Sequence, residues 1–267
     1  MYNEKSLDTL CAALCYSAGV DAPEKAAAAD ERLTAYVDEK LGGKKADRVF
    51  MYNPDAVAQW VYEKYPQLFV EMDNRTELSL PYKTVMPSVT PVCFGTMYTG
   101  AQPCVHGIMK YEKPVIKIDT IFDAFLRAGK KVAIVATPKC SIANIFLERE
   151  LDYYIIPECE KVNAKAAELI LKDEYDLLVV YNGNYDARMH KVGPENFEAL
   201  AELRTNVRAY GMFYEMIKEH WTSHNTLLGF AMDHGCHEID GGCGSHGLDM
   251  EEDLNIVHRY IAIPESK

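Results

Sequence analysis

The stretch TLLGFAMDHG, Thr226–Gly235, decides the fold. An apolar run, Thr226–Met232, leads straight into Asp233, His234 and Gly235. A strand that is apolar on both faces is covered on both sides, and two hard-to-bury polar residues at its end mark the edge of the sheet. Working outward, the pattern recurs. Apolar β-type runs at Arg48–Tyr52, Lys131–Ala136, Asp152–Ile156, Asp176–Tyr181 and Val257–Ile263 alternate with helical patterns at 54–65, 116–128, 138–149, 160–173 and 194–219. Such strands, separated by helices, imply an α/β fold with a mostly parallel central sheet sandwiched by helices. Ligands of such sheets bind at the carboxyl ends of the strands.

The polar residues at those ends are of one kind. Asp55 follows the run ending at Tyr52, and Asp186 and His190 follow Asp176–Tyr181. Asp233 and His234 follow Thr226–Met232, and His246 lies in the loop before the last run. Aspartate and histidine hold divalent cations through oxygen and nitrogen. Asp186 and His190 are four apart, so one helical turn would aim both at a single ion. Thr90, followed by Pro91, is expected at a helix N-cap, where free N–H groups and the helix dipole favour an alkoxide and a bound anion. Beside a metal ion its hydroxyl would be a nucleophile. Plainer readings stand alongside: a simple cap for Thr90, a surface ion pair for Asp186 and His190, and a core or turn position for Asp233-His234. Thr99-Gly100 and His106-Gly107 read as a helix stop and a tight turn, His237 as a surface or supporting residue, and Glu251–Asp253 as a solvated acidic stretch.

At 267 residues the chain can form one large α/β domain with a modest appendage. Residues 5–18 and 24–41 read as two helices, stopped by Gly42-Gly43. Residues 1–45 are therefore set apart as a helical accessory segment, for packing or for a homodimer, from a main domain over 46–267. The formal charge of -12 excludes a general nucleic-acid binder but not a small anion held by metal ions. Eight cysteines without a CxxC pair, and an N-terminus without a long apolar run, lead to the expectation of a reduced cytoplasmic protein with no membrane span. Cys236 and Cys243 bracket a glycine-rich loop but are weaker metal candidates, since neither has a second thiol at short spacing.

In order, these segments resemble the alkaline phosphatase superfamily, most closely its nucleotide pyrophosphatase/phosphodiesterase branch. The branch's P-T-x-T-x-P, TG, P and HGI elements appear as Pro87-Ser88-Val89-Thr90-Pro91, Thr99-Gly100, Pro103 and His106-Gly107-Ile108. Its D-x-x-G-H-x-x-G-P stretch appears as Asp186 to Pro194, with Met189 in place of glycine. Its S-D-H-G and later H-G appear as Met232-Asp233-His234-Gly235 and His246-Gly247.

The resemblance implies an alkaline-phosphatase-like fold and two divalent ions, zinc first, with manganese or iron as alternatives. Asp186, His190 and His246 would hold one ion, and Asp233, His234 and Thr90 the other. The remaining ligand would be an aspartate after the first strand: Asp55, in VFMYNPDAV, with Asn53 as its rival. Cys93 falls where the branch commonly has an asparagine that holds a phosphate oxygen; a thiol is a poorer donor, so substrate grip should differ. The sulfatase setting C/S-x-P-x-R does not fit Thr90–Cys93, and a phosphomutase cap domain has no room here. The implied function is hydrolysis of a phosphodiester or nucleotide pyrophosphate through a phosphothreonyl intermediate, on a small phosphorylated substrate such as a nucleotide. The alternatives are a phosphomonoesterase or a catalytically weakened metal- or ligand-binding relative.

Overall fold

The computed structural model describes residues 1–266. Its strands are β1 (Arg48–Pro54), β2 (Leu78–Lys83), β3 (Val132–Ala136), β4 (Asp152–Ile155), β5 (Leu177–Asn182), β6 (Thr226–Phe230), β7 (His237–Ile239), β8 (Cys243–Ser245) and β9 (Asn255–Ile263). The helices of the first half are α1 (Thr9–Ser17), α2 (Glu31–Lys40), α3 (Gln59–Lys64), α4 (Val70–Asp73), α5 (Thr90–Thr99), α6 (Pro103–His106) and α7 (Ile121–Arg127). The second half adds α8 (Ser141–Ile145), α9 (Cys159–Lys172), α10 (Asn184–Val192), α11 (Phe197–His220) and α12 (Glu251–Leu254).

Seven strands form one sheet in the order β2-β9-β6-β1-β5-β3-β4. The pairings from β6 through β1, β5 and β3 to β4 are parallel. On the other flank β9 runs antiparallel to both β6 and β2. β3, β5 and β6 are buried along their whole length, as strands covered on both faces should be. The fold is α/β with a mostly parallel sheet between helical layers, as the apolar runs predict.

Four local expectations change. β2 was not anticipated: LSLPYK carries Pro81 and Lys83, and its proline is tolerated because the strand lies at the sheet edge. α2 begins at Glu31 rather than residue 24, because the Asp30 side chain accepts from the Arg32 N–H and caps it there. The hairpin β7–β8 also went unread, since its strands are three residues each and joined by a turn through Gly241-Gly242. Val89, not Thr90, has the extended N-cap conformation, so Thr90 is the first helical residue of α5.

α1 and α2 lie against the sheet and its helices, with Leu7, Leu10, Leu14, Leu33 and Val37 fully buried in the same core as β1 and β5. The chain before α1 is tied to β2 by backbone hydrogen bonds, Leu7 N to Lys83 O at 3.0 Å and Lys83 N to Lys5 O at 2.7 Å.

Candidate metal centre

The site assembles where the parallel strands end. β1 runs into Asp55, whose N–H donates to the Asn182 carbonyl at the end of β5 (3.0 Å). β6 leads into Asp233 and His234, while α10 starts two residues after β5 and carries Asp186 and His190 one turn apart. Thr90 opens α5, and His246 follows β8.

Two clusters result, in each of which the candidate ligand atoms lie within 4.8 Å of one another: Asp186, His190 and His246, and Asp55, Asp233 and His234. In the first, His190 Nε2 is 3.2 Å from Asp186 Oδ1 and 3.2 Å from His246 Nε2, and His246 Nε2 is 3.4 Å from the same oxygen. In the second, His234 Nε2 stands 3.4 Å from Asp55 Oδ1 and 3.3 Å from Asp233 Oδ2. The rings of His234 and His246 stack with centroids 4.1 Å apart, so the clusters adjoin. Thr90 Oγ1 lies 3.2 Å from His234 Nε2 and 3.5 Å from Asp55 Oδ2. The first cluster opens to solvent, the His190 side chain being 40% exposed, whereas Asp55, Asp233 and His234 are at most 1% exposed.

All three histidines are oriented in the same way. Nδ1 of His190, His234 and His246 lies 2.9, 2.9 and 3.0 Å from the carbonyls of Gly244, Gly235 and Ser88. A carbonyl only accepts, so Nδ1 carries the proton and Nε2 offers its lone pair to the cluster, as metal-binding histidines do. The carboxylates complete the picture. Asp55 Oδ1, Asp186 Oδ1 and Asp233 Oδ2 are buried and accept no hydrogen bond. Buried acceptors without donors are costly, and a divalent cation satisfies them.

The electrostatics match this reading. Burial, reinforced by the Asp186 charge, pushes the Asp55 carboxyl up to about 7, and burial drives Asp233 well above the ordinary carboxylate range. Burial also lowers His234 well below its usual value. Asp186 is held low: burial opposes this, but the His190 and His246 rings beside the carboxylate outweigh it. In return Asp186 raises His190 to about 9.

Of the predicted positions, the two clusters and Thr90 are brought together. Asn53 is turned away, its side chain donating to the Ala231 carbonyl (2.6 Å) and accepting from Tyr98 (2.6 Å), so it is Asp55 that joins the cluster. Cys93 is fully buried one turn after Thr90, its Sγ 3.9 Å from the Val85 carbonyl, and burial pushes its thiol well up. Asp253 is not solvated: it is fully buried, accepting from His237 Nδ1 (2.7 Å) and from the Leu248 N–H (2.8 Å), and so braces the loop after His246. His237 is buried with it. Tyr181 was missed. Its hydroxyl donates to Asp55 Oδ2, and Gly183 makes room, since a Cβ there would meet that hydroxyl at 2.6 Å.

A family model described as type I phosphodiesterase / nucleotide pyrophosphatase matches residues 53–260. No curated protein sequence matches the chain. Murine ectonucleotide pyrophosphatase/phosphodiesterase 5 has a similar structure: TM-score 0.58 at 19% identity, covering 73% of this chain and 58% of that one. An inactive variant of that protein in complex with AMP gives 0.58 at 18%, covering 73% and 59%. Phosphonoacetate hydrolase from Sinorhizobium meliloti, in complex with phosphonoformate, gives 0.56 at 18%, covering 76% and 61%. These likenesses are ones of fold, and the chain spans about three fifths of the length of those structures. With the family model covering well over half of the chain and both clusters, the chain belongs to the type I phosphodiesterase / nucleotide pyrophosphatase family.

Proposed function

We propose that the protein hydrolyses a phosphodiester or nucleotide-type pyrophosphate, with Thr90 as nucleophile and two divalent ions, zinc first among them. The observation that carries this is the set of three buried, unpartnered carboxylate oxygens facing histidine nitrogens already turned toward them. Asp186, His190 and His246 would hold one ion, and Asp55, Asp233, His234 and Thr90 Oγ1 the other. Such a pair neutralises the phosphoryl charge and lowers the pKa of a hydroxyl beside it.

The residues supply the rest. Thr90 Oγ1 sits at the first turn of α5, where free backbone N–H groups favour the anionic form and a bound phosphoryl oxygen. Its proton faces Asp55 Oδ2 and His234 Nε2. Attack forms the Thr90 Oγ–phosphorus bond and breaks the bond to the leaving alcohol or phosphate, which departs with a proton. Water then attacks phosphorus, releases the phosphorylated product and restores Thr90. Tyr181 holds Asp55 by its second oxygen throughout. Cys93 would flank the phosphoryl position as a neutral thiol, a weaker donor than an amide. Among the comparisons, AMP in the murine structure and phosphonoformate in the bacterial one accord with a small anionic ligand.

The test is turnover of bis-p-nitrophenyl phosphate against p-nitrophenyl phosphate, with and without chelator. The diester should be preferred, chelation should abolish turnover, and Thr90→Ala should lower kcat by at least roughly a thousandfold. A variant keeping full metal-dependent turnover would remove Thr90 from its role, and preference for the monoester would favour the phosphomonoesterase alternative.

A further inference from the structure

Behind the candidate centre, on the opposite face of β1 and β5, lies a second set of unsatisfied groups. Among the described residues, eight buried side-chain polar atoms have no hydrogen-bond partner. Three belong to the clusters above; Asn182 Oδ1, Asn184 Oδ1 and Asn206 Nδ2 are three more, and two of these asparagines are fully buried.

These two stand in one directed chain. The amide of Asn182 donates to Asn163 Oδ1 at 2.6 Å and to the Tyr52 hydroxyl at 2.8 Å, and Tyr52 donates to Asn206 Oδ1 at 3.1 Å. The chain joins β1 and β5 to α9 and α11. Its link to the site is Asn182, whose backbone carbonyl accepts from the Asp55 N–H at 3.0 Å. Because strand side chains alternate, Tyr181 faces the site and grips the Asp55 carboxylate, while Asn182 faces the helices and anchors the Asp55 backbone. Neighbouring residues of one strand thus meet the same aspartate differently: Tyr181 through its hydroxyl, and Asn182 through its backbone carbonyl, whose position its side-chain network fixes.

An apolar side chain at 182 would avoid the unpaired oxygen, so packing alone does not account for asparagine there. Directed hydrogen-bond chains polarise and stiffen one another in a low-dielectric interior. We infer that Asn182, locked by Asn163, Tyr52 and Asn206, is a positioning residue that sets the reach of Asp55 toward the second cluster's ion. The inference rests on the metal reading above, which the wild-type ion count tests by itself.

The experiment is zinc titration of the chelator-stripped full chain against a chromophoric competitor, with thermal melting of the metal-free protein in parallel. Wild type should bind two equivalents. Asn182→Val and Tyr52→Phe should each weaken one equivalent by about tenfold or more, the cost typical of groups that orient ligands from behind, and leave the other within about twofold. The metal-free melting temperature should stay level or rise in Asn182→Val. Tyr52→Phe keeps the ring packing and carries the test should Asn182→Val fail to fold. Two unchanged affinities in a folded variant, or a drop in metal-free stability with ion affinity intact, would overturn the inference.

Discussion

At the scale of single residues, the centre is a balance between burial and charge. Asp55 is raised to about 7 because it is buried and faces the Asp186 charge, against roughly 3.9 in an unfolded chain. His190 is raised to about 9 by the Asp186 carboxylate beside it. The signs agree: both groups bind protons more tightly when folded, so the stability each contributes is present at low pH and lost as pH rises. For Asp55 the loss spans about pH 4 to 7, and for His190 about 6.5 to 9. The metal-free protein should therefore melt lower at pH 9 than at pH 7, a range in which His234, lowered by burial, is neutral whether folded or unfolded, and saturating zinc should reverse the order; a metal-free melting temperature that climbs over that range would contradict this. The candidate ligands were legible because they are polar residues following apolar strands. Tyr181 was not, since a tyrosine ending an apolar strand looks like core until the fold lays its hydroxyl over Gly183 onto Asp55. Asp253 was misread for the converse reason: it ends an acidic run, Glu251-Glu252-Asp253, whose first two members are exposed.

At the scale of elements, the site depends on close backbone approaches more than on helix propensity. Gly235 follows His234, and a Cβ there would lie 2.0 Å from the Glu252 carbonyl. Gly244 of β8 supplies the carbonyl that orients His190, and a Cβ there would lie 2.1 Å from Met189 Sδ. The two clashes differ in kind. Met189 is a flexible side chain in the place where the family motif has glycine, and it fills the space over Gly244. The Glu252 carbonyl is backbone and cannot step aside. Gly235→Ala should thus destabilise the fold by about 1–3 kcal/mol, read as a shift in denaturant midpoint, and weaken zinc binding through His234. Unchanged stability would show that the β6–α12 approach is looser than described. The central strands could be read because each is apolar along its length. β2 and the β7–β8 hairpin could not, being an edge strand with a proline and a pair of three-residue strands of which β8 packs on α10.

At the scale of the whole molecule, a chain of formal charge -12 gathers three aspartates and three histidines at the carboxyl edge of one sheet. That arrangement would be self-repelling without cations and becomes favourable with them. The sheet order explains how: β1, β5 and β6 are adjacent, so residues distant in sequence, Asp55, Asp186 and Asp233, end side by side. Their order along the chain could be read in advance; their distances could not, because strand neighbours are set by tertiary packing. The N-terminal helices show the same limit. Their existence was readable, but not that Leu7, Leu10 and Leu14 would share the main core. The measurement that bears most directly on this account is elemental analysis of the purified chain, reconstituted with zinc and freed of excess ion. Two tightly bound ions per chain are expected; one ion or none would contradict a two-metal centre at Asp55, Asp186, His190, Asp233, His234 and His246.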